Sequence, residues 1–360
     1  MSEIVFIVGA GASREAGGPL MADFLDTADE LRKVDKELQF RSDFDRVFDA
    51  ISALQFVHSK SELDLDNIES VFAAFEMGRL INRLPGTPGK DIASLLAAIR
   101  RLISKTLEKT ITFPVRDGQI HPNPSYDSFA RLINSLNNAV RQNRCSIITL
   151  NYDLALDYAL HFHKHPADYC FSKVTRPGFK IPVMKLHGSL NWARCSKCGE
   201  IVPWDIDAFL QKFPVPFLEK SEFVSLDLPF RLSSSGLKHC GEDVEPDPVI
   251  VPPTWNKTGY HRGLSKVWSR AAWELSDAEN IFVSGYSLTE SDVFFRYLFA
   301  LGSVGKTRIK RFWVFDPDEE TVRPRFEKLI GSAIKGRFRF RDMKFSEAFP
   351  VIRHEFLSEY

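Results

Sequence analysis

Four short strings in this 360-residue chain combine residue types that could do chemistry. The first is Gly9-Ala10-Gly11-Ala12-Ser13, directly after the apolar run Ile4-Val5-Phe6-Ile7-Val8. Glycines at 9 and 11 have no Cβ, so a backbone there can turn tightly and let a phosphate approach its N–H groups. Arg14 stands where the usual dinucleotide fingerprint has a third small residue, so the string departs from it. A purely structural turn is the alternative. The second string, Asn151-Tyr152-Asp153, follows another apolar run and offers an amide and a carboxylate; an Asn there is otherwise a helix cap. The third, His187-Gly188-Ser189, places an imidazole at a strand end, suited to proton transfer near neutrality or to a structural hydrogen bond. The fourth is Cys195-Ser196-Lys197-Cys198, whose two thiols three positions apart can grip one tetrahedral ion.

The elements that must position these groups alternate. Ile4–Val8, 145–150, 181–186, 249–251, 280–284 and 311–315 read as strands, with helices near 264–275 and 291–301, which implies a parallel sheet with crossover helices. From about 20 to 142 the period is helical: Phe44, Val47, Phe48, Ile51 and Leu54 share one face, as do Ile68, Val71, Phe72 and Phe75. The expected class is α/β, a Rossmann-like parallel sheet with helices on both faces, plus a helical insertion and a small zinc-ribbon-like insertion. The expected division is 1–27, 143–192 and 247–360 for the nucleotide-binding part, 28–142 for the helical insertion, and 193–246 for the cysteine module. No chemistry is legible in 28–142, and its apolar faces read as core.

The chain has 47 basic and 47 acidic side chains, so bulk charge gives no field that would gather nucleic acid or an anionic membrane. No apolar stretch approaches the roughly 20 residues that span a bilayer. The N-terminal run reads as a buried strand rather than a secretory leader, and five cysteines do not suggest a disulfide scaffold, so a cytoplasmic location is expected.

Four strings in order resemble the sirtuin (silent information regulator) family. Gly9 to Pro19 is similar to its GAG-x-S start, Thr149-Leu150-Asn151-Tyr152-Asp153 to T-Q-N-x-D, Leu186-His187-Gly188 to its His-Gly string, and Gly285-Tyr286-Ser287-Leu288 to G-T-S-L. Together they span residues 9 to 288. The resemblance implies NAD as substrate, with Gly9, Ala10, Gly11 and Ser13 at its pyrophosphate and Gly285 and Ser287 on its adenosine side. It implies that Asn151 holds the nicotinamide ribose and positions the attacking oxygen, that Asp153 binds the carboxamide, and that His187 binds or deprotonates a ribose hydroxyl or activates water. Asp316, ending a strand, is placed to accept from the adenine ribose or to cap the next helix. A sirtuin supplies two cysteine pairs to zinc, whereas here only His239-Cys240 follows the first pair. Cys195, Cys198 and Cys240 are the expected ligands, with His239 or a further residue as the fourth, although adjacent residues in extended chain point opposite ways.

Two departures bear on activity. Deacylating sirtuins follow the proline with Asp-Phe-Arg, where this chain has Asp23-Phe24-Leu25, and Pro252 to Lys257 is unlike an acyl-peptide channel. The resemblance therefore implies an NAD glycohydrolase of the antiphage-defence branch, gated by assembly as a homo-oligomer or on a partner such as a ring-shaped ATPase. A protein deacylase and a non-catalytic NAD or ADP-ribose sensor are the alternatives.

Overall fold

The computed structural model describes residues 3–36, 38, 40–55, 63–139, 145–172, 180–212, 222–226, 232, 235–251, 261–290 and 292–357. Pro252 to Lys257 lie outside the described residues. Among these residues one sheet has seven strands: β1 (Ile4–Val8), β2 (Cys145–Thr149), β3 (Ala167–Asp168), β4 (Ile181–Lys185), β5 (Asn280–Ser284), β6 (Arg311–Phe315) and β7 (Phe338–Arg341). They lie in the order β7-β6-β5-β1-β2-β4-β3, and every pair is parallel. Such strands are covered on both faces, which is why β1, β2, β4 and β5 are buried without interruption rather than alternating.

The helices follow in chain order. Between β1 and β2 run α1 (Ala10–Arg14), α2 (Phe24–Val34), α3 (Arg41–Gln55), α4 (Ile68–Leu80), α5 (Ile92–Thr110) and α6 (Pro124–Ala139). After β2 comes α7 (Ala155–Phe162), and α8 (Ile206–Lys212) lies in the cysteine-containing stretch. Then α9 (His261–Asp277) leads into β5, α10 (Val293–Gly302) into β6, α11 (Glu319–Leu329) and α12 (Ser332–Lys335) into β7, and α13 (Ala348–Leu357) closes the described chain.

Alternate strand residues face two cores. Phe6, Val8, Ile147, Val183, Phe282 and Trp313 pack into one cluster with buried side chains of α2 to α7 and α13. Val5, Ile7, Ile148, Met184, Ile281, Val283 and Phe312 pack into the other with α9, α10 and α11. The two helical stripes legible in the sequence are buried as expected, with Phe72 and Phe75 fully enclosed and Phe48 at the margin. The helix α6 lies on the sheet itself: its Phe129 meets Phe6 edge to face, ring centroids 5.2 Å apart, a geometry that adds about 1 kcal/mol to plain burial. It is thus the crossover helix between β1 and β2, and α2 to α5 form one continuous apolar core with it.

One strand differs from expectation. Val249–Ile250 is not part of the parallel sheet; it pairs antiparallel with Gly188–Ser189. Gly188 permits this with φ +94°, since a Cβ there would lie 2.1 Å from the Val249 carbonyl oxygen. The edge strand Phe338–Arg341 carries arginines at alternate positions, Arg339 and Arg341, and so lacks the apolar run that marks the inner strands.

Candidate active site

Strand order reverses between β1 and β5, because the chain leaves β1 towards β2 on one side and returns to β5 on the other. Ligands of open α/β sheets bind in the crevice at such a point, outside the carboxyl ends of the strands. The cavity here, about 780 Å³, is lined by the loops that follow β1, β2, β4, β5 and β6. It brings together Gly9, Ala10, Gly11, Ser13, Asn151, Asp153, His187, Gly285, Ser287 and Asp316, every residue expected at the nucleotide and catalytic positions.

The two glycine-bearing loops meet backbone to backbone. Gly11 N–H donates to the Gly285 carbonyl at 2.8 Å and Gly9 N–H to that of Ser284 at 3.3 Å. A Cβ on Gly9 would lie 2.6 Å from Gly285 O, and one on Gly11 2.8 Å from Gly285 Cα. Gly285 has φ +64°, and a Cβ on it would lie 2.4 Å from Ala12 N. The missing side chains at 9 and 11 therefore serve loop closure at the switch point, while both residues also line the cavity.

Beside this seam lies a polar cluster. Ser13 Oγ donates to Asp153 Oδ2 at 2.5 Å. With its proton committed there, Ser13 Oγ accepts from Asn151 Nδ2 at 2.8 Å and from Tyr126 OH at 3.1 Å. Asn151 Nδ2 also donates to the Gly9 carbonyl at 2.8 Å; since a carbonyl only accepts, this fixes which way the amide faces. Asp153 Oδ1 accepts from Ala155 N–H at 2.9 Å, which seats the carboxylate at the start of α7. Burial pushes the Asp153 carboxyl above its ordinary range, against the pull of the nearby Lys185 ammonium. Burial, together with the Asp153 carboxylate, likewise pushes the Tyr126 phenol well up, so that it stays a donor.

A buried scaffold holds the Asn151 to Asp153 loop from below. Lys185 Nζ donates to the Asp153 carbonyl at 2.6 Å and to Asp157 Oδ2 at 2.8 Å. Tyr169 OH donates to Asp157 Oδ1 at 2.6 Å, and Asn191 Nδ2 to Tyr169 OH at 2.9 Å. Such a network fixes geometry more than it adds stability, because burying the ions costs about what their attraction returns. His187 is buried at the end of β4 on the same cavity, its ring centroid 6.2 Å from that of Tyr152.

Asp316, after β6, is buried and lines the same cavity. Its Oδ1 accepts from Asp318 N–H at 2.9 Å. The helix cap is Asp318, which accepts from Thr321 N–H at 3.0 Å, so capping is not the work of Asp316. Arg325 of α11 donates to the Ser287 carbonyl at 3.2 Å, tying that loop to the cavity wall.

The reading of 28–142 as chemically silent needs correction. Asn67, Glu69 and Leu107 line the cavity, and Tyr126 stands behind Ser13. Ser125 Oγ donates to Glu15 Oε2 at 2.6 Å, and Ser346 N–H to Glu15 Oε1 at 3.1 Å, drawing α6 and the segment carrying Lys344 and Phe345 to the site. No local motif marks these residues; helix packing alone assembles them.

In the cysteine module, the ligand atoms of Cys195, Cys198, His239 and Cys240 all lie within 4.8 Å of one another. Cys198 Sγ and Cys240 Sγ are each 3.3 Å from His239 Nδ1, close to the edges of about 3.3–3.8 Å that a tetrahedral zinc site requires. The Cys198 backbone N–H pulls the Cys195 thiol down to about 6, towards the thiolate that a metal needs, while the Cys198 side chain pushes the Cys240 thiol up. The expected conflict between adjacent His239 and Cys240 does not arise. Cys240 and Gly241 form a tight turn with φ +56° and +81° between the paired segments Lys238–His239 and Glu242–Asp243, so both side chains reach the same point. The donor set fits a structural zinc held by three thiolates and one imidazole, which would lock the knuckle to the hairpin.

Among the described residues, no helix is long and apolar enough to cross a membrane. No family model matches the chain, and no curated protein does. Solved structures similar to it include a Sir2 homologue in complex with ADP-ribose, at 16% identity and TM-score 0.41 over 99% of this chain and 94% of that one. A Sir2 homologue in complex with NAD has 16% identity and TM-score 0.41 over 99% and 90%. A further Sir2 enzyme structure has 17% identity and TM-score 0.43 over 99% and 93%.

Proposed function

We propose that the protein is an NAD glycohydrolase, cleaving NAD to nicotinamide and ADP-ribose. The observation that carries this reading is the convergence of Ser13, Asn151, Asp153 and His187 on one cavity that Gly285, Ser287 and Asp316 also line. A dinucleotide laid across the switch point has its adenosine ribose by Asp316 and its nicotinamide ribose by the polar cluster. Nicotinamide in NAD is cationic and leaves as a neutral molecule, so the site has no leaving group to protonate. Its work is to stabilise an oxocarbenium-like ribose and to bring water to it. Asn151 and Asp153 are held rigid through Ser13, and His187 takes up the proton that water releases on forming the new C–O bond. On this reading the chain is a toxic effector of antiviral defence, held in check by assembly with itself or a partner, because free hydrolysis would exhaust the NAD of its own cell.

The test is nicotinamide release from NAD with no peptide present. Wild-type protein is expected to release it, and Asn151→Ala and His187→Ala to lower the rate by more than about a hundredfold. Release at the wild-type rate from both variants overturns the assignment of the site. Release that requires an acyl-lysine peptide makes the enzyme a deacylase instead.

A further inference from the structure

The helices α9 and α10 cover one face of the sheet and pack tightly on each other. Gly302 sits against Ala272, where an added Cβ would lie 3.0 Å from its Cα, and Gly305 sits against the Ser276 carbonyl. The inner sides of the pair are ordinary core, with Leu264, Val267, Ala271, Phe295, Leu298 and Phe299 buried. The outer side is apolar as well. Val293, Tyr297 and Leu301 recur every fourth residue along α10 and are 44%, 62% and 76% exposed. Val304, just past the helix, is 79% exposed, and Trp273 of α9, next to the Ala272–Gly302 contact, is 64% exposed.

A helix that is apolar on its solvent side as well as its core side is not explained by the fold of one chain. With an aromatic side chain carrying roughly 150–250 Å² and Val or Leu less, these five at their exposed fractions present on the order of 500 Å² of largely apolar surface. That is towards the upper limit for a patch on a monomer and most of the roughly 800 Å² that each partner contributes to a standard interface.

We infer that this face docks a second copy of the same chain about a two-fold axis. None of the five side chains is charged, so the patch can meet its own copy without setting like charges opposite each other. Self-complementarity of one surface is what an isologous contact requires. Two α9–α10 pairs stacked face to face make a four-helix layer between the sheets, which supplies the second apolar surface that both outer stripes lack. The interface borders the cavity: Thr289 and Asp292, which precede α10, line it, and Thr289 Oγ1 donates to Asp292 Oδ2 at 3.0 Å. Docking therefore bears on the helix whose preceding residues form part of the site wall.

The measurement is mass in solution by light scattering or sedimentation, which does not depend on what the cavity does. Wild-type protein is expected at an even multiple of the chain mass at micromolar concentration. Leu301→Glu and Tyr297→Glu are expected to halve it with unchanged circular dichroism, while Val34→Glu, an equally exposed apolar position elsewhere, leaves it unchanged. A wild-type monomer at all concentrations overturns the inference, including one that binds lipid vesicles through this face. An oligomer that survives both patch substitutions as folded protein overturns it too, since its interface lies elsewhere. The inference stands or falls separately from the glycohydrolase reading, which nicotinamide release alone decides.

Discussion

One wall of the cavity is made of strand ends and the other of helices, and the two are built differently. On the sheet side, Gly9 to Ser13, Asn151 to Asp153, His187 and Gly285 to Ser287 each sit within a few residues of a buried strand terminus. On the helical side, Asn67, Glu69 and Leu107 line the cavity and Tyr126 stands behind Ser13; they belong to three helices and a helix cap spread over 60 residues of sequence. A strand that stops at a fixed register leaves its next few residues nowhere to go but the carboxyl edge, so position follows from local sequence. A helix residue reaches the cavity only if its whole helix docks at one angle and depth.

This difference predicts unequal fragility. Gly285→Ala strikes the seam where the sheet-side loops touch, placing a Cβ 2.4 Å from Ala12 N at a left-handed φ of +64°. Neither the clash nor the strain can be relieved by a side-chain rotation, because both partners are backbone. The expected loss is about 3 kcal/mol of stability, read by denaturant unfolding, together with loss of NAD binding by calorimetry. Near-wild-type stability with intact binding would show that the two loops can part without cost, and the seam would cease to be the rigid wall.

On the helical side the comparable change is Tyr126→Phe, which removes one donor to Ser13 Oγ and keeps the ring packed 5.2 Å from Phe345. Ser13 retains Asp153 and Asn151 as partners. The expected cost is about 1 kcal/mol, with nicotinamide release slowed up to roughly tenfold at unchanged affinity for NAD. An unchanged rate would reduce the helical wall to a packing surface.

The same contrast explains what was legible. Ile4–Val8, 280–284 and 311–315 were readable to the residue, because an unbroken β-branched or aromatic run ended by Gly, Ser or Asp has few other solutions. Val249–Ile250 was readable as a strand but not as an outlier to the sheet, since its partner depends on the left-handed turn at Gly188. The edge strand Phe338–Arg341 has no legible strand pattern because half of its side chains are charged. Tyr126 is illegible for a different reason: a Tyr in the first turn of an amphipathic helix is ordinary, and its hydroxyl gains meaning only beside Ser13, 113 positions away. The His239–Cys240 pair was readable as candidate ligands but not as a pair that converges, because the left-handed Cys240 that turns them inward is a backbone property with no side-chain signature.

The cysteine module offers the smallest expected effect on the cavity. Its four ligand atoms are contributed by a knuckle and a hairpin, and none of the four residues lines the cavity. The module joins the sheet through Trp192, which is fully buried against Tyr169 and Phe171, ring centroids 5.2 and 4.7 Å away. Those contacts belong to the second apolar core and do not need the metal. Purified protein is expected to contain one zinc per chain by elemental analysis, and Cys198→Ser to lower that content. Removing the ion should free the knuckle from the hairpin and lower the melting temperature, because the binding energy of a structural zinc is folding energy for the segment it closes. Affinity for ADP-ribose should change by less than about twofold, since the walls at Gly285 and Asn151 are closed by their own hydrogen bonds. If chelation instead abolishes ADP-ribose binding while the sheet remains folded by circular dichroism, the module reaches the site through Trp192 and Asn191, whose amide joins the Tyr169–Asp157–Lys185 scaffold beneath Asp153. That outcome would put the metal in command of the catalytic loop and make the module a third wall.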